Sequence, residues 1–407
     1  VGRVTGSLPV DRRAATVAAS APARVLLVNN SLETFTPTHS GAIATCLHEV
    51  MTVAATQQPS QSLHLVTRDH EAAPYPHARV HLVDRRSHRS GTVRRARRRV
   101  AGWAHDDQSG YYRAVLAVAR RISPEILVCN NDPEVAVMLS RAFPTARVVH
   151  WFHNLLVPSD RFRRQYARSR RIESVAVSDY LARSVEQVLQ LRPRSVRTVY
   201  NGVDAARFVP APRRAPGDPL TIGFLGRVCV EKGPDTLLRA ALRLTELGAE
   251  VPRFRIQLAG DTNWGFSSPS AYRDEVQDLV AQLRSRDVEV LTTGHVEREQ
   301  VPEVLGRTDV HVVPSRWDEP FGLTLLEGMS CGLPVVVAAS GGLPEVAGRT
   351  GELFTREDPD DLSGVLLRLL TDPTGRAERG AAARSRAQTL TWDRTYAGLI
   401  ADACEVR

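Results

Sequence analysis

Two glutamates eight residues apart, Glu319 and Glu327, stand in the string EPFGLTLLE beside Pro320 and Gly322. Proline and glycine at this spacing mark a helix start. The backbone N–H groups of Phe321, Gly322 and Leu323 would then be unpaired and form a cradle for an anion or a polar ligand. Glu327, about one and a half turns further on, could reach a ligand lying across that N-terminus. Upstream, GRVCVEKG (Gly226–Gly233) follows the apolar run Leu220–Leu225 and sets Arg227 and Lys232 beside two glycines. Lys232 is the only lysine: the 53 Lys+Arg less that one leave 52 arginines. A compact ammonium and a planar guanidinium serve different phosphate geometries, so the pair reads as a phosphate contact. The plainer alternatives are a lysine left over on a solvated loop, Glu319 as a helix-start charge, and Glu327 as a surface residue.

The elements that must position these groups come in alternation. Short β-branched runs alternate with helical patterns, as in parallel α/β layers. The runs predict strands at Arg24–Asn29, Ser62–Thr67, Arg79–Val83, Glu125–Cys129, Arg147–Trp151, Ser174–Val177 and Val196–Tyr200. Helical patterns fall at Gly41–Ala55, Tyr111–Arg121 and Asp132–Ala142. A Pro-rich stretch, Pro210–Pro219, reads as a linker. After it the alternation restarts, with strands at Leu220–Leu225, Arg253–Leu258, Val288–Leu291, Val310–Val313 and Pro334–Ala338. Two α/β halves around a linker imply a pair of Rossmann-like domains facing a cleft, with ligands beyond the carboxyl ends of the strands. The expected division is a disordered tail at 1–22, a first domain at 23–209 completed by a final helix at 391–407, a linker at 210–219 and a second domain at 220–390.

Composition narrows the class. At 407 residues, 43% apolar and 24% charged, the chain exceeds one ordinary core and suits two domains. No apolar run approaches a membrane span, and residues 1–22 lack the apolar segment of a signal peptide. The cysteines Cys46, Cys129, Cys229, Cys331 and Cys404 are scattered and odd in number. This argues against a zinc site or a disulfide framework and for a reducing cytoplasm. Net charge is +8, with dense basic runs at Arg85–Arg99 and Arg161–Arg171. Such runs meet anionic partners or simply form a solvated face; the first has no aromatic and the second only Phe162 and Tyr166, not the interleaved aromatics of a base-stacking surface, so they do not suit nucleic acid.

The second half resembles the retaining glycosyltransferase family 4, with the GT-B fold. EPFGLTLLE matches that family's E-x7-E motif at both glutamates, and GRVCVEKG is similar to its diphosphate loop, with Arg227 and Lys232 in matching positions. NGVD (Asn201–Asp204), Gly294–Ser315 and Cys331–Glu345 also match, and Gly260–Tyr272 is similar to a spore-coat-type, actinobacterial subgroup. The resemblance implies that Arg227 and Lys232, with Gly226, hold the diphosphate of a nucleotide-sugar. It implies that Glu319 and the amides of Phe321, Gly322 and Leu323 contact the donor sugar. Glu327 would hold the ribose, and His295 and Val296 would lie near the base. No metal and no cofactor beyond the nucleotide-sugar are expected.

The same resemblance puts the acceptor on the first domain. His153 matches the family's cleft histidine, in preference to His150, which reads as a strand-end residue. Asn154 stands where many members carry aspartate. Ser40 and Gly41 keep one glycine of the family's Gly-rich loop before the first helix. The implied reaction is retaining sugar transfer from a nucleotide-diphosphate sugar to a small-molecule, lipid or glycan acceptor. Peripheral contact with an anionic membrane surface at the inner face is a further expectation, and nucleic acid is not an expected partner. The alternatives are an epimerase or phosphorylase on a related fold, and a non-catalytic protein that binds anionic ligands.

Overall fold

The computed structural model describes residues 23–31, 33, 35, 36, 41–59, 61–69, 79–83, 108–157, 159–212, 217–261 and 270–401. The tail 1–22, Ser40, the basic run 85–99 and parts of 210–219 and 260–272 lie outside the described residues. The first sheet holds β1 (Arg24–Val28), β2 (Ser62–Arg68), β3 (Arg79–Val83), β4 (Ile126–Asn130), β5 (Arg147–Phe152), β6 (Ile172–Ala176) and β7 (Val196–Thr198). Its spatial order is β3-β2-β1-β4-β5-β6-β7, every neighbouring pair parallel. Described helices of this half are α1 (Ala42–Gln57), α2 (Gln108–Ile122), α3 (Pro133–Ala142), α4 (Asp160–Ala167) and α5 (Asp179–Leu189).

The second sheet holds β8 (Leu220–Leu225), β9 (Phe254–Ala259), β10 (Glu289–Gly294), β11 (Val310–Val313), β12 (Val335–Ala338) and β13 (Glu352–Phe354). Its order is β10-β9-β8-β11-β12-β13, again all parallel. Helices α6 (Pro234–Glu246), α7 (Ser270–Arg284), α8 (Val301–Gly306), α9 (Leu323–Ser330), α10 (Leu343–Ala347), α11 (Pro359–Thr371) and α12 (Pro373–Ala387) flank it. Each sheet is a Rossmann-like α/β layer covered on both faces. That is why β12 reads as an unbroken apolar run and β11 as one broken only by His311, both buried at every position.

In each sheet the order reverses once, between β1 and β4 in the first and between β8 and β11 in the second. Such switch points open a crevice at the carboxyl ends of the strands. The segments after β1, β4, β8 and β11 all end there, and they carry most of the residues singled out above. Local chemistry starts the flanking helices on time. Asp132 accepts from Val135 N (3.2 Å) with Pro133 as first residue of α3, and Ser178 accepts from Leu181 N (3.1 Å) at α5.

The last described helix, α13 (Trp392–Leu399), packs against α1 of the first half. It is shorter than the expected run to 407, because Ile400 leaves helical geometry and residues 402–407 lie outside the described residues. Arg147 donates to Leu399 O (2.8 Å), Val203 N donates to Leu390 O (3.0 Å) and Tyr396 OH donates to Gln61 Oε1 (3.1 Å). A Cβ at Gly202 would lie 2.1 Å from Trp392 N, so this crossing requires glycine. One apolar cluster runs through both halves, from Val25, Leu47 and Trp151 to Phe321, Leu325 and Val337, with Trp392 and Tyr396. No helix among the described residues is long and apolar enough to cross a membrane.

Candidate active site

The loop after β8 is built around close backbone approaches. Gly226 N donates to Ala259 O (2.9 Å), and a one-turn 3-10 segment, Val230–Lys232, ends at Gly233 with φ of +62°. A Cβ there would lie 2.3 Å from Pro314 O. Glycine therefore lets the Lys232 loop lie against the exit of β11, across the switch point. As a result Lys232 Nζ meets Glu319 Oε2 at 2.5 Å and sits 5.3 Å above the Trp317 ring. The same oxygen accepts from Trp317 Nε1 (2.8 Å) and Ser315 Oγ (3.3 Å). Burial pushes the Glu319 carboxyl up, but the Lys232 ammonium and these hydrogen bonds outweigh it and hold it below the usual carboxylate range.

Glu319 is thus neither a helix-start charge nor free in the cleft; without ligand it is the counter-ion of the single lysine. Arg227 makes no hydrogen bond or ion pair among the described residues and lends its charge to Cys229 and Glu231.

The segment from Glu319 to Gly322 is gripped from the opposite side. Gly342 N donates to Glu319 O (2.7 Å), and Ser178 Oγ of the first half donates to Pro320 O (2.6 Å). Gly322 then adopts φ of +89°, with Leu343 Cδ2 2.6 Å from where a Cβ would stand. Its left-handed turn starts α9 at Leu323. The N–H groups of Phe321, Gly322 and Leu323 have no hydrogen-bond partner among the described residues. The Phe321 ring turns inward, 6.4 Å from Tyr200.

Glu327 is buried on α9, and its carboxylate is held by Arg298 Nη1. Arg298 also faces Glu49 of α1 (3.7 Å) and lies over the Phe208 ring (5.2 Å). The Glu49 carboxyl is raised by burial, with Arg298 and Arg207 opposing the shift. A carboxylate–guanidinium–carboxylate bridge therefore joins the two halves through the residue expected to hold the ribose. Sequence reasoning passed over Arg298 although it lies inside the matched segment Gly294–Ser315; nothing in a local pattern says which arginine of many is buried. His295 is exposed, its Nε2 3.5 Å from Glu297, while Val296 packs on the shared apolar cluster. A cavity of about 490 Å³ opens nearby between Val228, Gly260, Asp261, Gln277, Thr292 and Gly294.

In the first half, His153 follows β5 and is buried at the strand end. Its ring Nε2 lies 3.3 Å from Asn130 Oδ1, and its backbone N donates to Asn131 Oδ1 (3.1 Å), as does Asn154 N (3.0 Å). Asn130 Nδ2 donates to Val28 O (3.0 Å), which fixes Oδ1 as an acceptor. The proton of His153 is therefore on Nε2, leaving Nδ1 to accept. Burial lowers the pKa of His153 to about 3, so the ring is neutral. His150 is equally low but sits in the core, its Nδ1 2.8 Å from Tyr166 OH.

Gly41 caps α1, where a Cβ would lie 3.0 Å from Glu33 Oε1. Glu33 Oε2 accepts from Ala44 N (3.3 Å), and burial pushes its carboxyl up to about 7 against that hydrogen bond. The helix start that the eroded Gly-rich loop should leave open thus already carries a carboxylate. Neither Glu33 nor the asparagines at 130 and 131 were found from sequence, because single polar residues at strand ends carry no pattern.

Residues 207–386 match the family model described as glycosyl transferases group 1. A D-inositol 3-phosphate glycosyltransferase of Thermobifida fusca is 37% identical over 246 residues, covering 56% of this chain and 55% of that protein. One of the same name from Stackebrandtia nassauensis is 35% identical, covering 51% and 48%. The match thus spans about half the length of these curated relatives, and their names do not single out a spore-coat-type subgroup. Among solved structures, sucrose-phosphate synthase of Thermosynechococcus elongatus aligns with a TM-score of 0.74 at 19% identity, covering 94% of this chain and 99% of that one. Anabaena HepE in complex with UDP and glucose gives 0.67 at 19% identity, covering 95% and 100%. At these identities the likeness concerns fold, and the fold is GT-B: two Rossmann-like α/β domains.

Proposed function

We propose that this chain is a glycosyltransferase moving a sugar from a nucleotide-diphosphate sugar to an acceptor nucleophile, with retention and without a metal. The observation that carries the reading is the junction of Lys232 and Glu319 at the β8/β11 switch point, beside the unpaired amides at the start of α9. Cation, carboxylate and amides are the groups needed to hold a diphosphate and the hydroxyls of the sugar it carries.

In this reading Arg227 and Lys232 bind the diphosphate and offset its charge as the bond from the anomeric carbon to phosphate oxygen breaks. Glu319 and the amides of Phe321, Gly322 and Leu323 hold the sugar hydroxyls. Glu327, oriented by Arg298, accepts from the ribose, and His153 Nδ1 accepts from a hydroxyl at the reacting end. The new bond forms on the face the phosphate leaves, and the acceptor's proton passes to the departing phosphate. The protein supplies position and preorganised charge, not a dedicated base. Two fixed cations and a helix start supply the positive charge that a metal would otherwise bring.

UDP-sugars are the first donors to test, since HepE binds UDP and glucose, and a phosphorylated polyol is the first acceptor, from the relatives' name. The cytoplasm is the compartment we assign, in keeping with the free, buried thiols of Cys46, Cys129, Cys229 and Cys331. Thermal-shift screening against UDP, GDP, ADP and dTDP sugars identifies the donor; a ligand at 100 times its Kd adds about 2.7 kcal/mol. Mass spectrometry with that donor and candidate acceptors should then find glycosylated acceptor and free nucleotide, at a rate insensitive to EDTA. An epimerised nucleotide-sugar, or a sugar 1-phosphate formed with inorganic phosphate, would overturn the reading.

A further inference from the structure

Arg298 stands between two carboxylates that belong to different halves of the molecule. Its Nη1 pairs with Glu327 Oε1 on α9, and its Nη2 faces Glu49 Oε1 on α1 at 3.7 Å. The frame that holds it is well fixed. A capping box between Glu297 and Gln300 sets the backbone ahead of α8, with Gln300 Oε1 accepting from Glu297 N (3.1 Å), and Arg207 donates to Arg298 O. The guanidinium rests on the ring of Phe208, whose carbonyl accepts from Ser330 Oγ (2.9 Å) and Arg384 Nη1 (3.1 Å).

An arginine beside a carboxylate favours a two-point fork, with parallel N–H···O bonds to both oxygens. Arg298 forgoes it. Only Nη1 is engaged on Glu327, Nε is buried with no hydrogen-bond partner, and Glu327 Oε2 accepts no hydrogen bond among the described residues. A buried N–H left unpaired is costly, so another group must draw the guanidinium aside. Glu49 is that group. Its side chain is only 12% exposed, it lies one turn beyond the buried Cys46, and it makes no hydrogen bond among the described residues. Burial raises its carboxyl, with Arg298 foremost in opposing the shift. An uncharged side chain would pack at this position at less cost, and it would leave the fork free to close.

We propose that Glu49 is a positioning residue for the donor ribose: by drawing Arg298 Nη2 toward the first domain, it keeps Glu327 Oε2 open to a ribose hydroxyl. The inference rests on the role given to Glu327 under the proposed function. Glu49 belongs to the first half, Arg298 and Glu327 to the second. The ribose site is therefore complete only while α1 lies against the Arg298 segment. Where the halves move apart, Arg298 folds onto both oxygens of Glu327 and the acceptor for the ribose is lost. Nucleotide and the closed arrangement thus favour each other, and by the same factor. Donor affinity is in this way set by a residue of the domain that does not hold the donor.

Titration calorimetry on the full chain tests this, with UDP, GDP, ADP and dTDP each compared with its 2′,3′-dideoxy form. The wild type should prefer the hydroxylated nucleotide by about tenfold to a hundredfold, the usual worth of a hydrogen bond to a charged group. Glu49→Gln should weaken that nucleotide toward its dideoxy form and leave the dideoxy form unchanged, whereas a general loss of structure weakens both alike. Glu49→Asp, which keeps the charge, should retain more of the preference than Glu49→Gln. In an Arg298→Gln background, where no fork can form, adding Glu49→Gln should change the preference by less than about twofold. Melting temperatures confirm that each variant folds. An undiminished preference in Glu49→Gln, equal weakening of both forms, or the same effect of Glu49→Gln once Arg298 is replaced would each overturn the proposal while leaving the donor site standing. No binding by the wild type, or binding without preference for the ribose hydroxyls, would overturn the role of Glu327 and this proposal with it.

Discussion

Lys232 holds two roles that separate on mutation. Its ammonium neutralises a buried carboxylate, Glu319, and under the proposed function it also faces the donor diphosphate. Lys232→Ala should lower turnover by about 10²–10³, the usual cost of removing one preorganised charge contact. It should also lose about 3 kcal/mol of stability, because Glu319 is left buried without its counter-ion. The double variant Lys232→Met/Glu319→Gln should regain most of that stability while activity stays low. Urea midpoints and donor-saturated rates on the three proteins check this; a double variant as unstable as the single would remove the ion pair from the account. Lys232→Arg should not restore full turnover, since a planar fork cannot replace a point charge wedged between Trp317 and Glu319. The sequence made this lysine conspicuous because it stands alone among arginines. It could not show that Glu319, 87 residues away, would be its partner, because what brings the two loops together is the close approach of Gly233 to Pro314 and the hydrogen bonds from Arg316 N and Trp317 N to Glu231 O.

At the level of elements, α3 starts on a capping group under strain of charge. Burial pushes the Asp132 carboxyl up to about 7, with the hydrogen bond from Val135 opposing it and the Glu134 charge adding to it. Unfolded, an aspartate titrates near 3.9. The sign follows: below about pH 4 the carboxyl is protonated in both states and its contribution is complete. Between about pH 4 and 7 the folded state alone holds the proton, so stability falls by up to about 1.4 kcal/mol per pH unit. Above about pH 7 the loss is complete. Asp132→Asn keeps a good cap without the charge, so it should flatten this slope and be the more stable protein at pH 8, with little difference at pH 4. Denaturation series at several pH values test it. Strands were the most legible elements, since runs buried on both faces need little context. Yet β13, only Glu352–Phe354, was missed because three residues carry no period, and boundaries moved where caps, such as Asp132, decided them.

The whole molecule is held by few contacts of high value. Glu345, on the second domain, accepts from Asp179 N (2.6 Å), Tyr180 N (2.9 Å) and Tyr200 OH (2.7 Å), so one carboxylate closes the start of α5 across the cleft. Glu345→Ala should cost on the order of 2 kcal/mol and speed hydrogen exchange at Asp179 and Tyr180 while leaving β8–β12 protected; unchanged exchange there would falsify the clasp. Motif order implied two facing domains, but interdomain partners such as Glu345 with Tyr200 lie 145 residues apart and have no signature along the chain. The return of α13 to α1 carries a further implication. The apolar side of the first domain is completed by Trp392, Tyr396 and Leu399, which are made only after the whole second sheet. Synthesis order and packing order therefore run opposite to each other. The early half must wait, with its greasy seam bare, through the making of the entire second half. A chain stopped after Leu390 should accordingly melt lower and bind hydrophobic dyes. In the cell, the nascent protein becomes a natural client for chaperones until this helix arrives.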